Sequence, residues 1–329
     1  MSQVETVRGP IDVNALGRVL MHEHVFTIGT EIRENWPNYP DPWDEEQRVA
    51  DAIAKLREIK SHGFDSIVDP TVVGLGRSIA RIKRINAEVD LNIVVATGLY
   101  TYNDLPMQFH FTGPGLIFDV PEPMVDLFVG DIRDGIAGTG VKAGLLKCCI
   151  DEPGATPGVT RVIRAISEAH LQTGVPIMIH THAHSRSGLV AQNLFREFGV
   201  DLSNVLIAHC GDTPDLDYLH EIAAGGSMLG MDRFGIDVFL PFEQRVDTVA
   251  KLISEGYVEQ MVLSHDASCY SDFYPEAVIH AALPKWGYTH IPDDVLPGLR
   301  HRGITEAQID TMLVTNPRRF FSASKTSAR

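Results

Sequence analysis

The chain has 329 residues, of which 44% are apolar and 22% charged, so it can bury a large core. This composition argues against a disordered chain, a collagen-like repeat and a disulfide-dense scaffold. The 43 acidic residues outnumber the 28 Lys and Arg residues, and the net charge of −15 argues against a nucleic-acid-binding protein, which needs basic patches.

Short apolar runs rich in β-branched residues recur along the chain and predict eight strands. These strands are 19–24, 66–69, 93–97, 144–149, 176–181, 205–209, 227–231 and 261–266. Between them, apolar residues recur at three- and four-residue spacing, which predicts amphipathic helices. The clearest helical patterns lie at 49–59, 159–166, 246–253 and 306–313.

Glycines follow several helical patterns just before the next strand, where a left-handed residue typically ends a helix. They are Gly63, Gly174, Gly199, Gly225 and Gly256. The regular alternation of strand and helix favours an α/β fold, a closed (β/α)₈ TIM barrel, over an open doubly wound sheet. A GxGxxG motif, which would indicate dinucleotide binding, follows none of the predicted strands. We therefore expect a single domain over residues 1–329.

Residues 267–303, here called the lid segment, interrupt this pattern after the eighth predicted strand. The segment is rich in aromatic residues and proline, and a long apolar loop at the catalytic end of a barrel is typical of a substrate lid. Its large side chains either line an apolar channel for an acyl chain or only pack the segment down. They are Phe273, Tyr274, Leu283, Trp286 and Tyr288.

Active sites of barrels lie at the carboxyl ends of the strands, and here several predicted strands end in side chains that bind metals or protons. We call these six residues the rim cluster: His22, His24, Lys147, His180, His209 and Asp266. Because residues two apart on a strand face the same side, His22 and His24 can reach one metal while Glu23 points outward. Imidazole and carboxylate ligands suit Zn²⁺, Mn²⁺, Fe²⁺ or Co²⁺.

Lys147 is unexpected in such a cluster, because an ammonium repels cations and is costly to bury beside Leu146 and Cys148. Either it is the neutral nucleophile of a Schiff-base aldolase, or carbon dioxide converts it to a carbamate that bridges two metals. A third interpretation has the side chain reaching the rim and solvent. The four histidines favour the metal centre, since a Schiff-base enzyme does not need them.

The segments that carry these residues resemble those of phosphotriesterase-like lactonases, within the phosphotriesterase family of the amidohydrolase superfamily. In chain order they are GRVLMHEHV, AGLLK, DEPG, IMIHTHA, IAHCGDT, LGMDRFGIDVFLP, LSHDASCY and TNPRRFF. The resemblance implies two divalent metal ions, one held by His22, His24 and Asp266 and one by His180 and His209. Carboxylated Lys147 and a hydroxide would bridge the two ions.

The resemblance also implies the activity, which is hydrolysis of N-acyl-homoserine lactones of the quorum-quenching type and of other γ- and δ-lactones. Attack by the bridging hydroxide and proton transfer by Asp266 would be accompanied by weak phosphotriesterase activity. A primary phosphotriesterase is the alternative, and a Schiff-base aldolase is a remote one. Tyr100 matches the family tyrosine that reaches the substrate oxygen, and Arg233 matches a position near the mouth of the site, so the resemblance makes both of them catalytic and substrate-binding candidates. Without the resemblance, Tyr100 would be interpreted as an aromatic residue at the rim and Arg233 as an ion-pair partner of Asp237.

Two further expectations concern the pocket and the cellular setting. Where the family often has a cysteine two residues after the last aspartate, this chain has Ser268 followed by Cys269, which puts the shape of the acyl pocket in question. We expect His182 and His184 to lie beyond the fifth strand rather than to bind metal. A polar N-terminus and four cysteines interpreted as reduced thiols are typical of a cytoplasmic protein, and the resemblance implies a homodimer that takes a small lactone as substrate.

Overall fold

The computed structural model describes residues 2–323 and contains strands and helices in alternation. The strands are β1 Gln3–Thr6, β2 Gly9–Asp12, β3 Val19–Leu20, β4 His24–Thr27, β5 Ser66–Asp69, β6 Asn92–Gly98, β7 Leu145–Ile150, β8 Ile177–Thr181, β9 Val205–Ile207, β10 Met228–Met231, β11 Met261–Leu263 and β12 Ser268–Ser271.

The helices include short ones on the strand-to-helix loops as well as the long ones that cover the barrel. They are α1 Thr30–Asn35, α2 Glu45–Ser61, α3 Ile79–Asn86, α4 Gln108–Phe111, α5 Pro123–Arg133, α6 Pro157–Thr173, α7 Ser187–Glu197, α8 Leu216–Ala224, α9 Phe242–Ser254, α10 Glu276–Ala282, α11 Leu296–His301, α12 Glu306–Asp310 and α13 Asn316–Ala323. Two π-helical turns cover Ile291–Val295 and Thr311–Thr315, and shorter 3₁₀ turns include Ala183–Ser185 and Cys210–Asp212.

The central sheet is parallel and follows the order β3, β5, β6, β7, β8, β9, β10, β11. Beyond its ends, β4 pairs in parallel with β12, so that the first and last units of the barrel meet. The amide of Asp266 also donates to the carbonyl of His22 over 3.0 Å. The predicted (β/α)₈ barrel is confirmed, and the carboxyl ends of its strands share one rim.

Local sequence explains where the long helices begin and end. Helix α6 begins after Thr156, whose hydroxyl accepts a hydrogen bond from the Val159 amide, with Pro157 in its first turn. It ends at Gly174, which is left-handed as expected, with φ = 71°. The same expectation is wrong for Gly225, whose φ is −67°, because the left-handed residue there is Gly226.

Three predicted strands lose two or more of their residues in the structure. The run 19–24 is split at residues 21–23 into β3 and β4, so His22 lies in a bend. Strands β9 and β11 end before His209 and Asp266, which adopt left-handed backbone conformations with φ = 68° and φ = 54°. Such conformations are unfavourable for residues with a side chain and persist where the surroundings hold them.

The lid segment is more ordered than the predicted loop. It contains β12, α10, a π turn and α11, and it buries Leu283 and Tyr288. Across residues 2–323, the helices are all too short or too polar to cross a membrane.

Candidate metal centre

The first half of the rim cluster gathers at the point where β4 begins. Oδ1 of Asp266 lies 3.3 Å from Nε2 of His22 and 3.1 Å from Nε2 of His24. All three side chains are largely buried. Two imidazole nitrogens and a carboxylate oxygen at this separation can hold one cation.

The second half adjoins the first from the opposite side of the barrel. Nδ1 of His180 lies 2.8 Å from Nε2 of His209, which lies 3.9 Å from Oδ2 of Asp266. The rings of His209 and His22 stack with their centroids 5.1 Å apart. The structure therefore brings the predicted histidines and Asp266 into one continuous cluster.

Lys147 lies on β7, where it pairs with Gly98 of β6, and it lines the same cavity as the four histidines and Asp266. A Cβ atom at Gly98 would approach the Lys147 carbonyl oxygen to 1.8 Å, so only glycine permits this pairing. The Lys147 side chain is buried, and its Nζ atom has no hydrogen-bond partner among residues 2–323. Burial lowers the pKa of this amine. The solvent-seeking interpretation of Lys147 is therefore wrong.

Carboxylates that the sequence analysis did not assign lie behind the histidine rings. Asp232 accepts hydrogen bonds from Nδ1 of His22 over 2.8 Å and from Nδ1 of His209 over 3.1 Å. Nδ1 of His24 lies 2.7 Å from the Thr71 hydroxyl, which donates to Asp69 over 2.5 Å. Because these contacts occupy Nδ1, the Nε2 lone pairs face the cavity.

Asp232 also belongs to a second group of possible ligands, with His22 and His209. Its oxygens contact the Nδ1 atoms, on the far side of both rings from Asp266, so we interpret Asp232 as an outer carboxylate that orients the rings. The signal for it was its position directly after β10, equivalent to that of other strand-end donors. Asp151, one residue after β7, similarly lies 2.5 Å from Nε2 of His180.

The electrostatics of the cluster suit a cation. Burial lowers the pKa of His22 and that of His209, and it lowers the pKa of His180 to about 4, so these rings are neutral at pH 7. Although burial opposes its ionisation, His22, His24 and Arg233 hold the pKa of Asp266 well below its usual range. Neutral imidazoles, ionised carboxylates and an unpaired buried amine fit a centre that holds divalent cations.

Arg233 contacts the cluster directly. Its Nε donates to Oδ2 of Asp266 over 2.9 Å, and its Nη1 donates to Asp212 over 3.1 Å. The alternative partner Asp237 is therefore wrong. Tyr100, the other predicted rim residue, lies 3.0 Å from Nδ1 of His180 through its hydroxyl and donates to Tyr102 over 3.2 Å.

A cavity of about 600 Å³ opens above the rim cluster. Its apolar wall comes from the loop after β10 and from the lid segment, and includes Ile236, Val238, Phe239, Phe273, Tyr274, Leu283 and Trp286. Tyr288 does not belong to this wall, because its hydroxyl donates to the carbonyl of His24 beneath it. Ser268 faces the cavity, whereas Cys269 is buried.

His182 and His184 lie beyond β8, as expected, in and beside the 3₁₀ turn Ala183–Ser185. Both line the cavity, and their ring centroids lie 5.8 Å apart. Nδ1 of His182 accepts a hydrogen bond from the Ser185 amide. Glu23 points away from the cavity and accepts hydrogen bonds from the amides of His265 and Ala267. It therefore joins the bend between β3 and β4 to the connection between β11 and β12.

A barrel whose rim gathers neutral imidazoles and ionised carboxylates beneath a cavity defines a metal-binding hydrolase of the TIM-barrel class. Comparison with known proteins specifies the family. The chain matches the Phosphotriesterase family over residues 2–321 and belongs to it.

Two relatives and one solved structure place the chain within this family. It is 58% identical to a phosphotriesterase homology protein of Mycobacterium tuberculosis, over 98% of both chains. It is 39% identical to an aryldialkylphosphatase of Saccharolobus solfataricus, over 95% of this chain and 97% of that one. The structure of the phosphotriesterase from Mycobacterium tuberculosis aligns with a TM-score of 0.95, at 57% identity and over 98% of both chains.

Proposed function

We propose that the protein hydrolyses lactones, above all N-acyl-homoserine lactones, with weak phosphotriesterase activity beside it. The observation that carries this proposal is the shape of the cavity, which has the charged rim cluster at one end and an apolar wall along one side. An N-acyl-homoserine lactone has a polar lactone ring, which would lie at the rim cluster, and an apolar acyl tail, which would lie along the apolar wall. The quorum-quenching role follows from that choice of substrate.

The proposed centre holds two divalent transition-metal ions, Zn²⁺, Co²⁺, Fe²⁺ or Mn²⁺. His22, His24 and Asp266 would bind one ion and His180 and His209 the other, with carboxylated Lys147 between them. The unpaired Nζ atom supports the carboxylation, because a carbamate converts a costly buried amine into a ligand. When bound, such ions polarise a carbonyl oxygen and make hydroxide available at neutral pH.

The side chains around this centre have separate roles in the proposed reaction. The low pKa of Asp266 keeps it ionised, so it can accept a proton from water and pass it to the leaving alkoxide. With substrate bound, the Tyr100 hydroxyl would turn its proton from Tyr102 to an oxygen of the lactone ring. Arg233 holds one oxygen of Asp266 and leaves the other toward His22 and His24.

Phosphotriester hydrolysis as the primary activity is a second candidate. The relative named aryldialkylphosphatase, 39% identical over nearly the whole chain, favours it. The same metal-activated hydroxide can attack phosphorus as well as carbonyl carbon, so the rim cluster does not separate the two reactions. The apolar wall does, because a long acyl chain fills more of it than a compact triester.

The test compares kcat/KM for butanoyl and dodecanoyl homoserine lactones and for a dialkyl aryl phosphate. We expect kcat/KM to rise with acyl length by up to about fourfold per methylene, until the wall is covered. Leu283→Ala should flatten this trend, because Leu283 lines the cavity, whereas Val278→Ala on the exposed side of the lid segment should not. Equal rates for short and long tails, or a preference for the triester by orders of magnitude, would replace the lactonase proposal.

We also propose that the protein is a homodimer. Segment 107–118 exposes large apolar side chains, with Met107 69% and Ile117 75% exposed. The Phe118 amide donates to the Phe111 carbonyl, so the chain folds back on itself within this exposed segment. A second copy of this chain would cover these apolar side chains. Ile117→Lys should convert the dimer to a monomer in sedimentation, and a wild-type monomer would contradict the proposal.

A further inference from the structure

Four charged side chains of alternating sign form a chain that runs from the rim cluster into the protein; we call it the charge chain. Asp266 accepts from Arg233 over 2.9 Å, Arg233 donates to Oδ2 of Asp212 over 3.1 Å, and Oδ1 of Asp212 lies 2.8 Å from Nη1 of Arg245. The exposed fraction of these side chains runs from 2% to 16%. The two positive charges balance the two negative ones.

Arg245, on α9, is the far end of this chain and the largest fully buried side chain of the described residues. Its Nη1 donates to the carbonyl of Gly211 over 2.6 Å, beside the ion pair with Asp212. Its Nε and Nη2 donate to the carbonyls of Leu240 and Ile236, each over 2.9 Å. One guanidinium therefore ties together the turn after β9 and the loop after β10, which carries Arg233.

This arrangement bears on Asp266 because Arg233, the second member of the charge chain, contacts its carboxylate directly. Asp266 has a left-handed backbone conformation that the surroundings must maintain. Arg233 contributes to this by holding Oδ2, and the orientation of Arg233 depends in turn on Asp212 and on its loop. Because a guanidinium keeps its proton, the charge chain orients Asp266 rather than conducting a proton away from it.

We propose that Arg245 is a positioning residue for hydrolysis, acting on Asp266 through Asp212 and Arg233. The planar fork of arginine matters more than its charge, because three carbonyls and one carboxylate surround it in different directions. The inference rests on the proposed metal centre, but it holds for lactone and phosphotriester substrates alike, since both reactions use Asp266.

The test uses Arg245→Lys, which keeps the charge and removes the fork. The matched control is Arg161→Lys, because Arg161 also joins a carboxylate, Glu122, to the carbonyls of Phe109 and Thr112, but outside the charge chain. Both variants and the wild type are loaded with Co²⁺ alone, whose visible absorption reports the geometry of its ligands. Turnover of a lactone and of a phosphotriester is then measured on the folded, loaded proteins.

We expect Arg245→Lys to change the cobalt spectrum and to lower kcat at least about tenfold for both substrates, with KM changed less than about threefold. Arg161→Lys should leave the spectrum and kcat unchanged, whatever its effect on thermal stability. An unaltered spectrum and kcat in folded Arg245→Lys would overturn the inference, even if the variant were less stable.

If Arg245→Lys does not fold, Asp212→Asn decides, because it breaks the link and leaves the three carbonyl contacts of Arg245 in place. A wild-type spectrum and kcat in Asp212→Asn would then overturn the inference, and changes in both would support it. Failure of the wild type to bind Co²⁺ is a different result. It would contradict the proposed metal centre, and the role of Arg245 would fall with it.

Discussion

The rim cluster and the lid segment line the same cavity but are held in different ways. In the rim cluster, His22 and His209 are buried and each has the carboxylate of Asp232 behind it. In the lid segment, Trp286 and Tyr288 donate hydrogen bonds to backbone carbonyls of the barrel. Phe273 and Tyr274, by contrast, are 46% and 47% exposed.

The difference shows which parts of the cavity can change without loss of the chemistry. Displacing one ligand in a buried network leaves other polar groups unpaired, so the cluster tolerates little. Half-exposed aromatic side chains on the lid segment have fewer neighbours to disturb. We therefore expect substitutions in the cluster to abolish activity and substitutions in the outer lid segment to change substrate preference.

Lys147→Ala is the most severe test of the rim cluster. It should release the metal and lower kcat by on the order of a thousandfold or more, because the proposed bridge between the ions is lost. Elemental analysis of the wild type should find about two ions per chain, and the variant should lose them, with partial rescue of activity by short carboxylates. Full metal content and turnover in the variant would reject the bridge.

Asp232→Asn tests the carboxylate behind the rings. We expect metal affinity to fall by about 10- to 100-fold, because His22 and His209 lose the acceptor that fixes their orientation. Competition with a chelator measures this affinity.

The matched control for Asp232 is Asp131→Asn. Asp131 is also a buried carboxylate, paired with Arg77 over 2.9 Å and with the Thr97 hydroxyl over 2.6 Å. The Asp131→Asn variant should be less stable than the wild type but should bind metal with the same affinity. Equal losses of metal affinity in both variants would mean that Asp232 acts only through stability.

Trp286 connects the two regions, because its indole lines the cavity and donates to the carbonyl of His265 over 2.9 Å. Trp286→Phe keeps an apolar ring and removes the donor, so the free energy of unfolding should fall by about 1 kcal/mol. Urea titration measures it, with Trp36→Phe at an exposed position as the control. The acyl-length trend should persist in Trp286→Phe; its loss would show that the hydrogen bond, not the apolar surface, sets the preference.

Tyr102→Phe should have the smallest effect. Tyr102 is 51% exposed and accepts a hydrogen bond from Tyr100, which itself contacts His180. We expect kcat/KM to change less than about threefold, against about tenfold for Tyr100→Phe, which removes the hydroxyl nearest the cluster. A larger loss in Tyr102→Phe than in Tyr100→Phe would reverse the assignment of the substrate donor.

Most strands and helices of the barrel could be predicted from the sequence, because buried parallel strands are continuous apolar runs and the helices between them bury one apolar stripe. The residues at which the strands end were harder to predict. Predicted strands 205–209 and 261–266 stop early, since His209 and Asp266 leave the sheet in left-handed conformations that contacts from other units maintain. The prediction that Gly225 is the left-handed residue at the end of its helix was wrong because Gly226 follows it directly, and the sequence does not show which of two adjacent glycines adopts that conformation.

The order of residues along the chain was enough to predict the barrel and the six side chains of the rim cluster, because donors at strand ends share one rim in this fold. The groups that support these six side chains could be identified only in the folded protein. Asp232, directly after β10, contacts His22 in the bend between β3 and β4, and Arg245 reaches Asp266 through Asp212 and Arg233. Closure of the barrel brings His22 and Asp232 together across 210 positions, and the loops at the rim join Asp212 to Arg233 across 21 positions and Arg233 to Asp266 across 33, so these contacts leave no periodic signal in the chain.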